Sequence, residues 1–379
     1  MVNRSGDYMR SAPVLGAIMA PEANSFGVLR LIMASLVLIS HSYMFAFGTP
    51  LAEPLTAWTG HSLGQHAVQG FFILSGILVA QSFERSRSLF DFTAARALRI
   101  FPGLIVCVLL TALVLGPLVS QLPAHAYFTS SVLPLYLAKT LSLATGSAPL
   151  PGVFNDLPMP GIVNSSLWTL KYEVLCYAGL ALAGVAGLFN ATYRYVIAAV
   201  LAAFLLTVYA IDPQPFTQHS FMDNMRYFAL YFGTGTLIYL LRDKLVIVGV
   251  ALLPLIAVFM VALETRFAEP ATAALLGYGI VWAASKSFGP LRALCNKIDL
   301  SFGVYIYAGP IQQALIGAVP GLAPVAISVI AFAIVLPLAL LSWVLIEHPA
   351  LRLRGELRSF LQRRKSPPVP AAAFQQPLR

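Results

Sequence analysis

Apolar residues recur along the chain in long windows, separated by segments that contain charged residues, proline or glycine. Most of these windows reach the length of about 20 residues that an α-helix needs to cross a bilayer. The pattern predicts an all-α, polytopic membrane protein, a helical bundle with about ten transmembrane helices. The windows lie at residues 25–47, 66–83, 99–120, 166–189, 192–211, 225–241, 245–263, 269–286, 299–317 and 323–346.

One further window admits two interpretations. Residues 126–145, AYFTSSVLPLYLAKTLSLAT, are apolar enough for an extra span, which would invert the orientation of every later helix. Pro134 and Lys139 interrupt this window, and several prolines flank it. We therefore expect residues 121–165 to form a long outer loop, which either stays outside the bilayer or dips into its interface.

The composition excludes a soluble globular protein. Hydrophobic residues make up 58% of the 379 residues and charged residues 10%, with a mean hydropathy of +0.79. Soluble domains carry about 25% charged residues. Cys107, Cys176 and Cys295 lie in or beside apolar windows and lack the spacing of metal ligands or redox pairs. We expect these cysteines to pack in the interior, and we expect no metal site.

The formal net charge of +9 is attributed to orientation in a membrane rather than to nucleic-acid binding. With the N-terminus inside, all but four of the 24 Lys and Arg residues fall on the cytoplasmic side. Lys and Arg are enriched in cytoplasmic loops, so this distribution is a strong orientation signal. We therefore expect both termini to be cytoplasmic, and we expect the lipid bilayer rather than a nucleic acid as a partner.

The chain divides into three predicted parts. Residues 1–24 contain a short apolar stretch, APVLGAIMA, which proline and charged residues interrupt or flank, so we expect an uncleaved cytoplasmic extension rather than a signal peptide. Residues 25–349 form the predicted membrane domain. Residues 350–379 are basic and then proline-rich, and we expect this cytoplasmic tail to be disordered or to rest on anionic lipid.

Two ionisable residues interrupt the first apolar window, FGVLRLIMASLVLISHS. Arg30 and His41 are eleven residues apart in this segment. In an α-helix that spacing is within ~20° of three full turns, so both side chains point the same way, roughly 16 Å apart along the axis. An ionised side chain at the centre of a span costs at least ~2.5 kcal/mol on the insertion scale. The pair therefore indicates a function, and its spacing suits a ligand that spans this distance.

Glu173 lies at a depth similar to that of His41 and is its expected partner. The two residues lie roughly 10 Å below the outer ends of their windows. A carboxylate beside an imidazole fixes its tautomer and stabilises its protonated form. Two alternatives exist: a packing histidine bonded to Ser40 or Ser42, and a salt bridge from Glu173 to Lys171 or to an arginine elsewhere. Lys171 is two residues from Glu173 and thus on another helical face.

Arg30, Arg96 and Arg99 lie at the predicted cytoplasmic ends of the first and third windows. The planar guanidinium group binds phosphate in a bidentate fashion. We therefore expect these three arginines to anchor an anionic ligand that reacts farther up, at His41. The alternative is that the arginines extend to lipid headgroups.

Five segments, in order, resemble motifs of the membrane acyltransferase-3 family, the integral-membrane O-acyltransferases of bacterial cell envelopes. The resemblance covers about residues 25–352. One segment departs from the family pattern, because Ala308 stands in LSFGVYIYAGPIQQ where a histidine is common. The matching segments are RLIMASLVLISH, with its Arg-x10-His spacing, GQHAVQGFFILSGILVA, FTAARALRIFPGL, SSLWTLKYEVLCY and WVLIEHPALRLR.

The resemblance implies an enzyme that takes an acyl group, most often acetyl, from cytoplasmic acyl-coenzyme A. It implies a carbohydrate or glycolipid hydroxyl as the acceptor, no bound cofactor, and a multi-pass location in the bacterial inner membrane, with polysaccharide-assembly proteins as further partners. The three arginines would hold the phosphates of the coenzyme. His41 would take the acceptor's proton or carry the acyl group transiently, and Glu173 would orient it. The expected supporting residues are Ser75, Gly76, Trp168 and Tyr305.

Two functions from other classes are alternatives. A proton-coupled transporter or flippase for a glycolipid or small solute would use His41 and Glu173 to relay protons. It would move its substrate without forming a covalent product. A non-catalytic membrane partner of a polysaccharide-assembly machine would leave the acylation of the cell unchanged when His41 is replaced.

Overall fold

The computed structural model describes residues 13–146, 148–211 and 220–365. The regular elements in these ranges are helices. The strand-like pairings there are two isolated β-bridges, Val14 with Val246 and Ser120 with Val153. In chain order the helices are α1 (Phe26–Phe47), α2 (Leu63–Arg85), α3 (Leu89–Leu110), α4 (Ala124–Thr129), α5 (Val132–Leu141), α6 (Leu170–Val185), α7 (Arg194–Ile211), α8 (Phe221–Leu240), α9 (Leu252–Ala262), α10 (Ala268–Ala284), α11 (Pro290–Lys297), α12 (Ser301–Ala318), α13 (Pro324–Ser342) and α14 (His348–Lys365).

Short helical turns complete or extend several of these helices. Two π-helical turns join longer elements: Thr111–Leu115 continues α3 into Gly116–Val119, and Trp343–Glu347 joins α13 to α14. A one-turn α-helix covers Thr56–Thr59. The 3-10 turns are Leu15–Ile18, Pro21–Ala23, Pro50–Ala52, Leu167–Thr169 and Gly249–Ala251.

A helix covers the greater part of each predicted apolar window, so the prediction of an all-α fold is confirmed. Within the described residues, five helical stretches are long and apolar enough to cross a membrane. The number of ten crossings, the cytoplasmic side of both termini and the division into three parts stay predictions. The five stretches are Phe26–Phe47, Leu63–Arg85, Leu89–Val119, Arg194–Ile211 and Pro324–Glu356.

The predicted outer loop contains two short helices. With 6 and 10 residues, α4 and α5 fall well below the length that a spanning helix needs. The loop is attached to the bundle, because the buried Tyr127 hydroxyl donates a hydrogen bond of 2.6 Å to the carbonyl of Ala112. The segment that could have formed an extra span is thus a short helix packed against α3.

Both ends of the described chain contact the bundle. Leu15 is fully buried, and its backbone N–H donates to the carbonyl of Leu245 at 3.0 Å. At the other end, residues 350–365 are helical rather than disordered, as part of α14. The Arg354 side chain lies 3.0 Å from Asp91 at the start of α3. Residues 1–12 and 366–379 lie outside the described residues.

The centre of the bundle consists of α1, α2, α8 and α12, and α2 and α8 cross with their backbones in contact. A Cβ atom added to Gly76 would lie 2.1 Å from the carbonyl oxygen of Phe232, and one added to Gly235 would lie 2.0 Å from that of Ile73. Small residues let helix backbones approach closely in membranes. Gly76 therefore supports the site by holding two helices together.

We expect Gly76→Ala to lower the free energy of unfolding by about 1–3 kcal/mol, because the added methyl group separates α2 from α8. Unfolding in mixed micelles with increasing denaturing detergent measures this change. Gly279→Ala on α10 is the matched control, since nothing lies within 4 Å of its added Cβ. A Gly76 variant as stable as this control would contradict the close crossing.

Candidate active site

The three predicted arginines line one cavity, here called the arginine cavity. Arg30 comes from α1, and Arg96 and Arg99 come from α3, one turn apart. Three further residues that the sequence analysis singled out line the same cavity: Ser75, Glu173 and Tyr305. The structure therefore brings together six of the nine expected site residues.

Asp299, in the loop between α11 and α12, compensates two of the three guanidinium charges. Its Oδ2 atom lies 3.1 Å from Arg30 Nη2 and 2.7 Å from Arg99 Nη2. Ser301 holds the other oxygen, since its hydroxyl donates to Asp299 Oδ1 at 2.5 Å. Glu347 adds a weaker contact, with Oε2 3.7 Å from Arg99 Nη1. The carboxylate of Asp299 thereby joins α1 and α3 at the cavity.

Arg96 has no carboxylate within 4 Å among the described residues. Its Nη2 atom donates to Ser82 Oγ at 3.3 Å, and its guanidinium carbon lies 5.8 Å from the centre of the Tyr177 ring. The Nε atoms of Arg96 and Arg30 are buried without a hydrogen-bond partner in the described part of the chain. Buried donors without partners are costly, so they favour an anionic ligand in this cavity.

Glu173 faces the arginine cavity from the first turn of α6. A helix N-terminus stabilises a carboxylate at this position. Glu173 accepts hydrogen bonds from the Tyr177 hydroxyl, one turn farther along α6, and from Ser75 Oγ at 3.4 Å. These contacts orient the carboxylate toward α2 and α3.

His41 lines a second cavity, here called the histidine cavity, together with Ser165 and Trp168. Its ring nitrogens Nδ1 and Nε2 lie 3.3 and 3.5 Å from Ser165 Oγ. Its ring packs against Phe45, with 5.7 Å between ring centres. In the part of the chain that the structure describes, the imidazole makes no hydrogen bond to Ser40 or Ser42, the flanking serines of the alternative interpretation.

The expected pairing of His41 with Glu173 is not formed. The depth of a residue along its helix gives its height in the bundle but not the direction in which it faces, and Glu173 faces the arginines. Arg30 and His41, expected to serve one ligand that spans the distance between them, line two different cavities, which share Val68 and Tyr305 as lining residues.

Val68 and Tyr305 line both cavities, and the two residues are here called the wall between them. The Tyr305 hydroxyl is hydrogen-bonded to Thr169 Oγ1 at 2.7 Å. Thr169 lines the arginine cavity, whereas its neighbour Trp168 lines the histidine cavity. The 3-10 turn Leu167–Thr169 thus contributes to both sides of the wall.

Sequence reasoning missed three residues of this site: Asp299, Tyr177 and Ser165. Asp299 was detectable as an acid at the same predicted end of the bundle as Arg30 and Arg99. Tyr177 is four residues after Glu173, a spacing that places both on one helical face. No local signal marks Ser165, because only the tertiary fold brings it to His41.

Two further histidines have side-chain partners of their own, outside the arginine and histidine cavities. His61 Nε2 lies 2.9 Å from Glu269 Oε1, and His66 Nδ1 lies 2.8 Å from Gln69 Oε1. Both rings are half-buried, which favours hydrogen bonds within the protein. His219 lies outside the described residues.

Comparison with known proteins identifies related chains. A family model described as an acyltransferase domain matches residues 24–347. An O-acetyl transferase of Shigella phage Sf6 is 32% identical over 336 residues, covering 86% of this chain and 95% of that protein. Nodulation protein 10 of Rhizobium leguminosarum bv. viciae is 28% identical over 364 residues, covering 88% of this chain and 95% of that protein. No solved structure matches the chain.

We expect Asp299→Asn to lower the free energy of unfolding by about 3 kcal/mol, because it leaves the partly buried Arg30 without a countercharge and Arg99 with only the more distant Glu347. Asp243→Asn is the matched control: Asp243 pairs with Arg194 but has a side chain that is 50% exposed. The control substitution should lower the free energy of unfolding by no more than about 1 kcal/mol. Detergent-induced unfolding of both variants measures the difference, and equal losses would refute the role of Asp299.

Proposed function

The chain belongs to the acyltransferase family whose model matches residues 24–347, and on that premise we propose that it is an O-acetyltransferase of the bacterial inner membrane. The donor is acetyl-coenzyme A on the cytoplasmic side, and the acceptor is a hydroxyl of a cell-envelope or exported carbohydrate. The name of the Shigella phage Sf6 relative, O-acetyl transferase, supports acetyl as the transferred group. The family assignment favours an enzyme over a transporter or a non-catalytic partner.

The observation that carries this proposal is the arginine cavity beside the histidine cavity. Coenzyme A carries several phosphate groups, and guanidiniums bind phosphate oxygens bidentately. Arg96 is the principal phosphate ligand in this proposal, since its charge has no carboxylate partner among the described residues and its Nε is unused. Arg30 contributes its own unused Nε, and Arg99 completes the positive lining.

Glu173 belongs to the donor side in this proposal, rather than to His41. It lines the same cavity as Arg96 and Arg99, and Tyr177 and Ser75 hold its carboxylate in place. There it limits the excess positive charge of the cavity lining. This role replaces that of the orienting group, because Ser165 is the side chain that hydrogen-bonds His41.

His41 performs the transfer chemistry in this proposal, by one of two routes. As a general base, an imidazole nitrogen takes the proton of the acceptor hydroxyl. The hydroxyl oxygen then attacks the thioester carbonyl, and the C–S bond breaks. As a nucleophile, the imidazole takes the acetyl group first and passes it to the hydroxyl. In both routes the sulfur leaves as the thiol of coenzyme A, whose proton balances the one that the acceptor hydroxyl gives up, and Ser165 holds the ring in position.

We expect His41→Ala to lower the rate of acetyl transfer at least about 100-fold, as for loss of a general acid–base group. Inside-out membrane vesicles supplied with radiolabelled acetyl-coenzyme A report transfer as label in the glycan fraction. His125→Ala, an exposed histidine on α4, is the control and should retain activity. Unlabelled glycan combined with intact glycolipid translocation would instead support a carrier.

We expect Arg96→Ala to raise the Michaelis constant for acetyl-coenzyme A about tenfold, with a smaller effect on kcat, because a charged hydrogen bond to phosphate is lost. Arg30→Ala should act in the same direction. Arg194→Ala is the matched control, since Arg194 lies on α7 and pairs with Asp243. The initial rate as a function of donor concentration measures the constant. An unchanged value for both variants would refute the assignment of the donor site.

A further inference from the structure

We propose that Tyr305 and Thr169 form a gate between the arginine cavity and the histidine cavity, which keeps the thioester away from His41 until an acceptor is bound. This inference rests on the proposed function. It assigns a positioning role to the hydrogen bond between the two hydroxyl groups, 2.7 Å apart. The reaction that the gate suppresses is hydrolysis of acetyl-coenzyme A.

The position of Tyr305 is the first argument for a gate. Its side chain lines both cavities, yet only 8% of the residue is exposed. Its ring packs edge-on against Phe71 of α2, with 5.7 Å between the ring centres. Tyr305 and Val68 are the residues that line both cavities, so a thioester anchored by phosphates among the arginines passes beside them to reach His41. In this proposal the phenol moves aside during each cycle.

The segment opposite Tyr305 supplies the means of control. Residues 164–169 are held to α12 at two points: Asn164 Nδ2 donates to the carbonyl of Ile306 at 2.8 Å, and Thr169 bonds Tyr305. The same segment carries Ser165, which bonds His41, and Trp168, which lines the histidine cavity. An acceptor that enters this cavity displaces the segment and thereby weakens the Thr169–Tyr305 bond.

The chemistry explains why such a gate is useful. With water in place of the acceptor, a water oxygen activated by His41 attacks the thioester carbonyl and the C–S bond breaks. The products are acetate, the thiol of coenzyme A and a proton: one proton of the water is transferred to sulfur, and the other is released to solvent. Closed sites prevent such losses by separating the reactive group from water. A gate that opens when the acceptor binds lets the thioester reach His41 only when a hydroxyl is there to accept the acetyl group.

Two conservative substitutions test the gate. Tyr305→Phe and Thr169→Val each remove the hydrogen bond while keeping the size of the side chain. Inside-out vesicles with radiolabelled acetyl-coenzyme A and their own glycans give both quantities: label in glycan for transfer, and labelled free acetate for hydrolysis. Free acetate from vesicles that lack the protein is subtracted. Each variant should raise the ratio of hydrolysis to transfer about fivefold, as expected for one hydrogen bond that favours the closed state.

The double variant should show the same ratio as either single variant, because all three lack the same bond. Tyr307→Phe is the matched control. It removes another buried hydroxyl from α12, one that donates to Ser342 Oγ at 3.3 Å and lines neither cavity. This control should keep the ratio of the unaltered protein.

Three results would overturn the gate. The ratio could stay unchanged in both single variants, or the effects of the two substitutions could multiply in the double variant. Transfer and hydrolysis could also fall together in Tyr305→Phe, which would make the hydroxyl a catalytic group. If the unaltered protein consumes no acetyl-coenzyme A with or without acceptor, the proposed function itself fails. The amount of folded protein in each vesicle preparation normalises all rates.

Discussion

The rest of the structure depends on how guanidinium groups are accommodated inside an apolar bundle. Charges removed from water are tolerated only with partners, and one oxygen of Asp299 serves both Arg30 and Arg99. This shared contact ties α1 to α3 through the loop before α12. The third guanidinium, Arg96, has no carboxylate within 4 Å in the described part of the chain, and its Nε, like that of Arg30, has no hydrogen-bond partner there. Under the proposed function, Arg30 and Arg99 combine structural pairing with donor binding, whereas Arg96 serves mainly the donor.

A second feature is the separation of the arginines from His41 in space. The first helix carries Arg30 and His41 on one side, as its periodicity requires, but α12 and the segment before α6 place a wall between them. The segment before α6 contacts the imidazole, the wall and the α12 backbone within six residues. Under the proposed function, these contacts couple recognition of the donor to recognition of the acceptor.

The helices and the arginine cluster could be predicted from the sequence, since apolar length and the cost of buried charge are local properties. The side-chain partners of the site residues could not be predicted from the sequence. Depth along a helix does not reveal its rotation, so Glu173 was assigned to His41 although it faces the arginines. Asp299 lies at the edge of a window, where burial leaves no mark in the hydropathy pattern. The wall depends on the Tyr305 hydroxyl meeting a turn far away in the chain, which no spacing indicates.

The π-helical turn Trp343–Glu347 has a consequence for the end of the bundle. Ser342 Oγ donates to Glu347 Oε1 at 2.9 Å across five residues. In a regular α-helix five residues rotate by about 500°, which leaves the two side chains about 140° apart. A π turn corresponds to one residue inserted into an α-helix, and it brings them together. Two contacts therefore depend on this π turn: that of Glu347 with Arg99 and that of Arg354 with Asp91. Deletion of a single residue here would rotate α14 about its axis, so that Arg354 would no longer face Asp91 on α3.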